Sequence, residues 1–206
     1  LNSIVANSWN GYYNALYQVN NVISIVEDLP ESDLRNLIIG EAHYFRAYIY
    51  HSLVTRWGGV PIQRVNTMDK PFRDSEEAVW AFIEEELETA LAFLGTSSSC
   101  YYVSRDAALA LKARVMLERG KKTEAAALAE GLIKDGKYKL DSFDKIFRGK
   151  TNTEVIFSFQ CLAEESNITI STLFYTYAHP NHGSYVYRPT NDVMNMYDDK
   201  DKRKEV

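Results

Sequence analysis

Between residues 160 and 190 the sequence sets Phe174, Tyr175, Tyr177, His179, His182, Tyr185 and Tyr187 among Asn, Ser, Thr, Gly and Pro. No helical period gives these rings a common core face. Flat rings suit the C–H face of a sugar, and neighbouring amide and hydroxyl groups suit its hydroxyls. Ligand contact is accordingly expected at Tyr175, Tyr177, His182, Tyr185 and Tyr187. The competing expectation is that a loop tyrosine packs under its own loop with only the hydroxyl at the surface. A disaccharide of about two dozen heavy atoms, at a ceiling near 0.3 kcal/mol per atom, gains at most ~7 kcal/mol. Its hydrated hydroxyls lower this to roughly the millimolar to tens-of-micromolar range. Affinity of that order suits capture and hand-over.

Other chemistry is poorly supported. His179-Pro180-Asn181-His182 offers two closely spaced imidazoles, but no third ligand is nearby and Pro180 restricts the loop. The run Glu84-Glu85-Glu86-Glu88 is expected to be mostly a solvated helix face. Acid–base work would require one carboxylate to be buried and its pKa raised. Arg46 is expected to anchor a carboxylate or carbonyl between helices, with His43 and His51 hydrogen-bonded inside the bundle. Cys100 and Cys161 are far apart with no CxxC or Cys/His grouping, and their pairing is left open. No nucleophile–base pairing, G-x-S-x-G or phosphate loop is visible. The expectation is therefore a protein that is not an enzyme, with no cofactor and no metal. A net charge of −5 spread along the chain does not suggest nucleic acid as a partner.

What would position the aromatic loops is a set of long helices. At 206 residues, with 46% hydrophobic and 25% charged, the chain is globular. Ile4, Trp9, Tyr12, Tyr13, Leu16, Val19, Val22, Ile23 and Val26 recur at helical spacing in residues 3 to 27. Ser32 or Asp33 then caps a second helix running to Trp57, where Gly58, Gly59 and Pro61 stop it. Asp74 or Ser75 caps a third, with Val79, Phe82, Ile83, Leu87, Leu91 and Leu94 as its buried stripe. Residues AALALKARVMLERG and KTEAAALAEGLIKDG form an antiparallel pair around Gly120, a unit of about tetratricopeptide length. After Gly136 the texture changes, and Glu154 to Phe159 alternates as a short strand would. The expected fold is mainly α, a tetratricopeptide-like helical repeat stack over 1–140 with a loop-rich, partly β appended region over 141–206. No apolar run is long enough to span a bilayer.

The order Gly40-Glu41-Ala42, Phe45-Arg46-Ala47, Tyr50, Leu53-Val54 and Gly58-x-Val60-Pro61 resembles the signature helix of the SusD/RagB family. His43 stands where a basic residue is usual, and Gly59 where Asp is common. Trp9-x-x-x-Tyr13 followed by Asn20-Asn21, the SRDAALALKARVMLERG block, the entry at Glu154, and Asp201-x-Arg203 extend the resemblance over most of the chain. The family consists of outer-membrane lipoproteins exposed at the cell surface that capture glycans, or in some members peptides. They pass these to a TonB-dependent outer-membrane transporter (SusC-like). The resemblance thus implies an oligosaccharide-binding protein of nutrient uptake and polysaccharide utilisation, held at the membrane only through a lipid anchor this sequence does not contain. It also implies an internal portion of a longer protein. A peptide-binding member of the family, or a tetratricopeptide-like protein–protein interaction module, is the alternative.

Overall fold

The computed structural model describes residues 2–97, 99–142, 145–146, 152–160, 162, 164, 170–180, 182–184 and 186–201. By contacts the chain forms two compact units, Leu1–Phe159 and Gln160–Val206.

Unit one is built from helices α1 (Ser3–Glu27), α2 (Asp33–Trp57), α3 (Glu76–Phe93), α4 (Arg105–Glu118) and α5 (Lys122–Lys134). Each packs against the next in sequence. Where the sequence allowed two caps, the serine is used in each case: Ser32 accepts from Arg35 N, and Ser75 accepts from Ala78 N. Ser104 caps α4 in the same way. The end of α2 is fixed by backbone geometry. Gly58 has φ 68°, and a Cβ on Gly59 would land on the carbonyl oxygen of Asp74.

α2 is the central element, buried along most of its length from Ile39 to Val54. Leu16, Tyr50, Leu53, Val79, Ile83 and Leu87 are fully enclosed around it. Beyond α2 the chain turns back through Pro61, whose carbonyl accepts from the hydroxyls of Tyr13 (2.9 Å) and Tyr50 (3.2 Å). Trp9 and Trp57 meet edge to face at 5.4 Å, as expected of core packing.

One part of the acidic run is not a solvated face. Glu86 is 2% exposed and receives Arg46 in a two-pronged contact, Nε at 2.6 Å and Nη2 at 2.8 Å. His43 Nδ1 lies 2.8 Å from the same carboxylate, and Arg46 Nη1 also donates to Asn20 Oδ1 and to the Arg64 carbonyl. Burial pushes the Glu86 carboxyl up, but the hydrogen bonds and charges of His43 and Arg46 outweigh it and hold it below the usual range. It is a buried ion pair tying α1, α2, α3 and the loop after α2 together. Glu84, Glu85 and Glu88 do face outward, paired with Arg119 and Lys121, Arg64, and Lys112.

The expected strand at 154–159 is absent: there is no strand among the described residues. Its main chain bonds elsewhere. Asn152 Oδ1 accepts from Glu154 N and Val155 N, and Ser158 N donates to the Cys100 carbonyl. Ile156 and Phe157, consecutive residues, both pack on the core, and Phe157 meets Tyr44 at 5.6 Å. That is why the compact unit runs to Phe159 although the texture changes near residue 140.

Candidate functional site

Unit two contains a 3-10 turn, Ile170–Leu173, and a short helix α6, Asn191–Asn195, capped by Thr190. Between them the chain folds into a loop that closes on itself. Ser184 N donates to Thr172 O (2.7 Å), while Val186 N and Tyr187 N both donate to Leu173 O (2.8 and 3.1 Å). Inside this closure His179 N and Gly183 N donate to Thr176 O, and His182 N donates to His179 O. The tight return forces His182 to φ 44°, a left-handed conformation that costs a non-glycine residue energy. Gly183 is buried, and a Cβ there would overlap the carbonyl oxygen of Tyr175. These contacts are local, so the loop's shape is set by its own backbone.

The expected contact residues fall into different settings. Tyr177 is 75% exposed and Tyr187 57%. Tyr187 lies beside Phe174, itself exposed, with centroids 5.9 Å apart and planes tilted by 40°. Tyr175 is half-buried, and one ring face is covered by His179, stacked at 3.8 Å and 17°. It serves as a prop with at most one face to offer. His182 is exposed on the turn. Tyr185 lies outside the described residues, as does Cys161. Phe174 is not among the expected contacts, and its place in the aromatic run is the signal that points to it. Among the described residues no group of three or more His, Cys, Asp or Glu side chains converges as a metal site would require.

The loop thus presents exposed rings, separated by polar residues, on a backbone held by its own hydrogen bonds. Stacking on sugar rings needs that arrangement; bond cleavage would need a paired acid and base at the same place. Residues 2–117 match the model of a SusD-like family described as starch-binding and associating with the outer membrane. The chain belongs to this SusD-like family.

Its relatives are longer. A SusD-like protein, P38, of Formosa agariphila is 29% identical over 146 residues, which is 68% of this chain and 28% of that protein. The crystal structure of a SusD-like protein from Bacteroides fragilis is 29% identical, with a TM-score of 0.67 over 75% of this chain and 33% of the other. A structure described with xylogluco-oligosaccharide has a TM-score of 0.81 over 96% of this chain and 45% of its own, at 22% identity, and so shares the fold. This chain therefore spans about a third of the first two SusD-like relatives. No helix among the described residues is long and apolar enough to cross a membrane.

Proposed function

We propose that this chain carries a saccharide-binding surface of a nutrient-capture protein at the cell surface, and that the closed loop 172–187 is that surface. The observation that carries the reading is the display of Phe174, Tyr177 and Tyr187, more than half exposed on a loop whose backbone is closed by hydrogen bonds. Exposed aromatic rings cost solvation unless a ligand covers them, and a preformed loop spares the ligand the entropy of ordering it. Family membership supports the ligand class, and the xylogluco-oligosaccharide complex supports the fold's compatibility with glycan capture. In this reading Tyr177, Tyr187 and Phe174 stack on sugar rings, while His182 and the loop's polar groups meet hydroxyls. Tyr175 holds the loop's interior.

Binding without turnover, followed by release to a TonB-dependent transporter of the SusC type, is the function that weak stacking contacts serve best. Calorimetric titration against soluble oligosaccharides of starch, laminarin and xyloglucan tests the ligand class. Saturable binding to at least one glycan, at roughly millimolar to tens-of-micromolar affinity, is expected. Silence toward every glycan with a response to peptides would instead mark a peptide-binding family member. Co-purification with a soluble partner and no transporter would mark a helical interaction module.

A further inference from the structure

A second site lies in unit one, on the helical scaffold. α2, α4 and residues 154–159 enclose an open cleft of ≈ 450 Å³, within the range of about 300–1,000 Å³ typical of small-molecule sites. Its walls carry the rings of Tyr44, Tyr48, Phe157 and Phe159, together with Arg114 and Glu154. Phe159 is 56% exposed and meets Phe157 at 5.3 Å and Tyr48 at 5.8 Å, both at steep angles.

The Tyr44 hydroxyl is the telling group. Tyr44 is 3% exposed. The phenols of Tyr13, half-buried, and Tyr50, buried, both donate to the Pro61 carbonyl, whereas that of Tyr44 has no hydrogen-bond partner among the described residues. Every fully enclosed side-chain polar atom among the described residues has a partner. An unpartnered Tyr44 hydroxyl must therefore reach accessible space, and the cleft is the space Tyr44 lines. Burial, with the Tyr48 phenol adding to it, pushes its pKa up, so it is a neutral donor and acceptor. At the cleft this hydroxyl can exchange a bond to water for one to a ligand hydroxyl.

Arg114 is aimed by a relay. Its Nε donates to Glu118 Oε1 at 3.1 Å, and the other oxygen of Glu118 lies 2.7 Å from His51 Nε2. Among the described residues no protein group engages its terminal guanidinium nitrogens, which form a planar fork suited to adjacent hydroxyls. Glu154 Oε2 is held by Asp141 N at 3.1 Å, leaving its other oxygen as an acceptor. One cation and one anion in the lining balance, which favours a neutral polyhydroxylated ligand over an ion. We propose that this cleft binds a neutral saccharide of one or two units, separately from the loop 172–187.

NMR titration of the labelled protein with maltose, cellobiose and laminaribiose tests this. At least one sugar should produce saturable shifts in the amides of residues 110–114 and 156–159, both in the wild type and in the Phe174→Ala/Tyr177→Ala/Tyr187→Ala variant. Tyr44→Phe should weaken binding at those amides about fivefold to tenfold, the loss of one hydrogen bond, without lowering the melting temperature of the unliganded protein. Arg114→Ala, a change at an exposed side chain, should weaken it in the same amides. No saturable shift at those amides, or equal affinity in Tyr44→Phe, would overturn the proposal. Shifts confined to residues 172–187 would remove the cleft site and leave the loop reading standing. Shifts confined to the cleft would do the reverse.

Discussion

The residue that most constrains the scaffold is Glu86. It is buried with Arg46 and His43, and each of its oxygens is used. Glu86→Gln would leave the Arg46 charge enclosed without its counter-ion, a change that costs about 3–5 kcal/mol in comparable buried pairs; urea unfolding at neutral pH measures it. The sign of the pH dependence follows from the depressed carboxyl. Its contribution is complete above the unfolded value of about 4.5 and is lost as pH falls through the lower folded value. The urea midpoint of the wild type should therefore fall below pH ~4.5 more steeply than that of Glu86→Gln. The partnership was half legible in the sequence. Arg46 inside an aromatic helix demanded an acceptor, but the acidic run hid which one. Helical spacing does single out Glu86, because Val79, Phe82, Ile83, Glu86, Leu87 and Ala90 share one face, all buried.

At the scale of elements, the long helices were readable because period and stop signals agreed. The end of α2 at Trp57 and Gly58 is where glycine and proline placed it. Residues 154–159 misled because a short alternating run of apolar residues needs a ladder partner to become a strand, and sequence alone cannot supply one. Here Asn152 and Cys100 take the main-chain bonds. In the aromatic loop, Gly183 is the element's closing contact, since any side chain there meets the Tyr175 backbone. Gly183→Ala should open the loop. Glycan affinity is expected to drop at least about tenfold, on the scale of one lost anchor, while the far-ultraviolet circular dichroism of the helices stays unchanged. Retained affinity in this variant would show that the loop's closure does not position its rings.

For the whole molecule, composition located the aromatic region but not the exposure of each ring. Tyr175 and Tyr177 are two residues apart and look alike in the sequence. One is covered by His179 and the other stands open, a difference set by the loop's return through His182 and Gly183. The scaffold and family were legible because the signature helix must be buried on nearly every side, which fixes residue types tightly. The ligand was not, because exposed rings accept many sugars. Binding of glycan by the rings of loop 172–187 is tested by titrating one bound oligosaccharide into the wild type and into Phe174→Ala/Tyr177→Ala/Tyr187→Ala, following the amides of that loop. Saturable shifts there, present in the wild type, should be abolished in the variant while the helical signal survives. Unchanged affinity at that loop would contradict it.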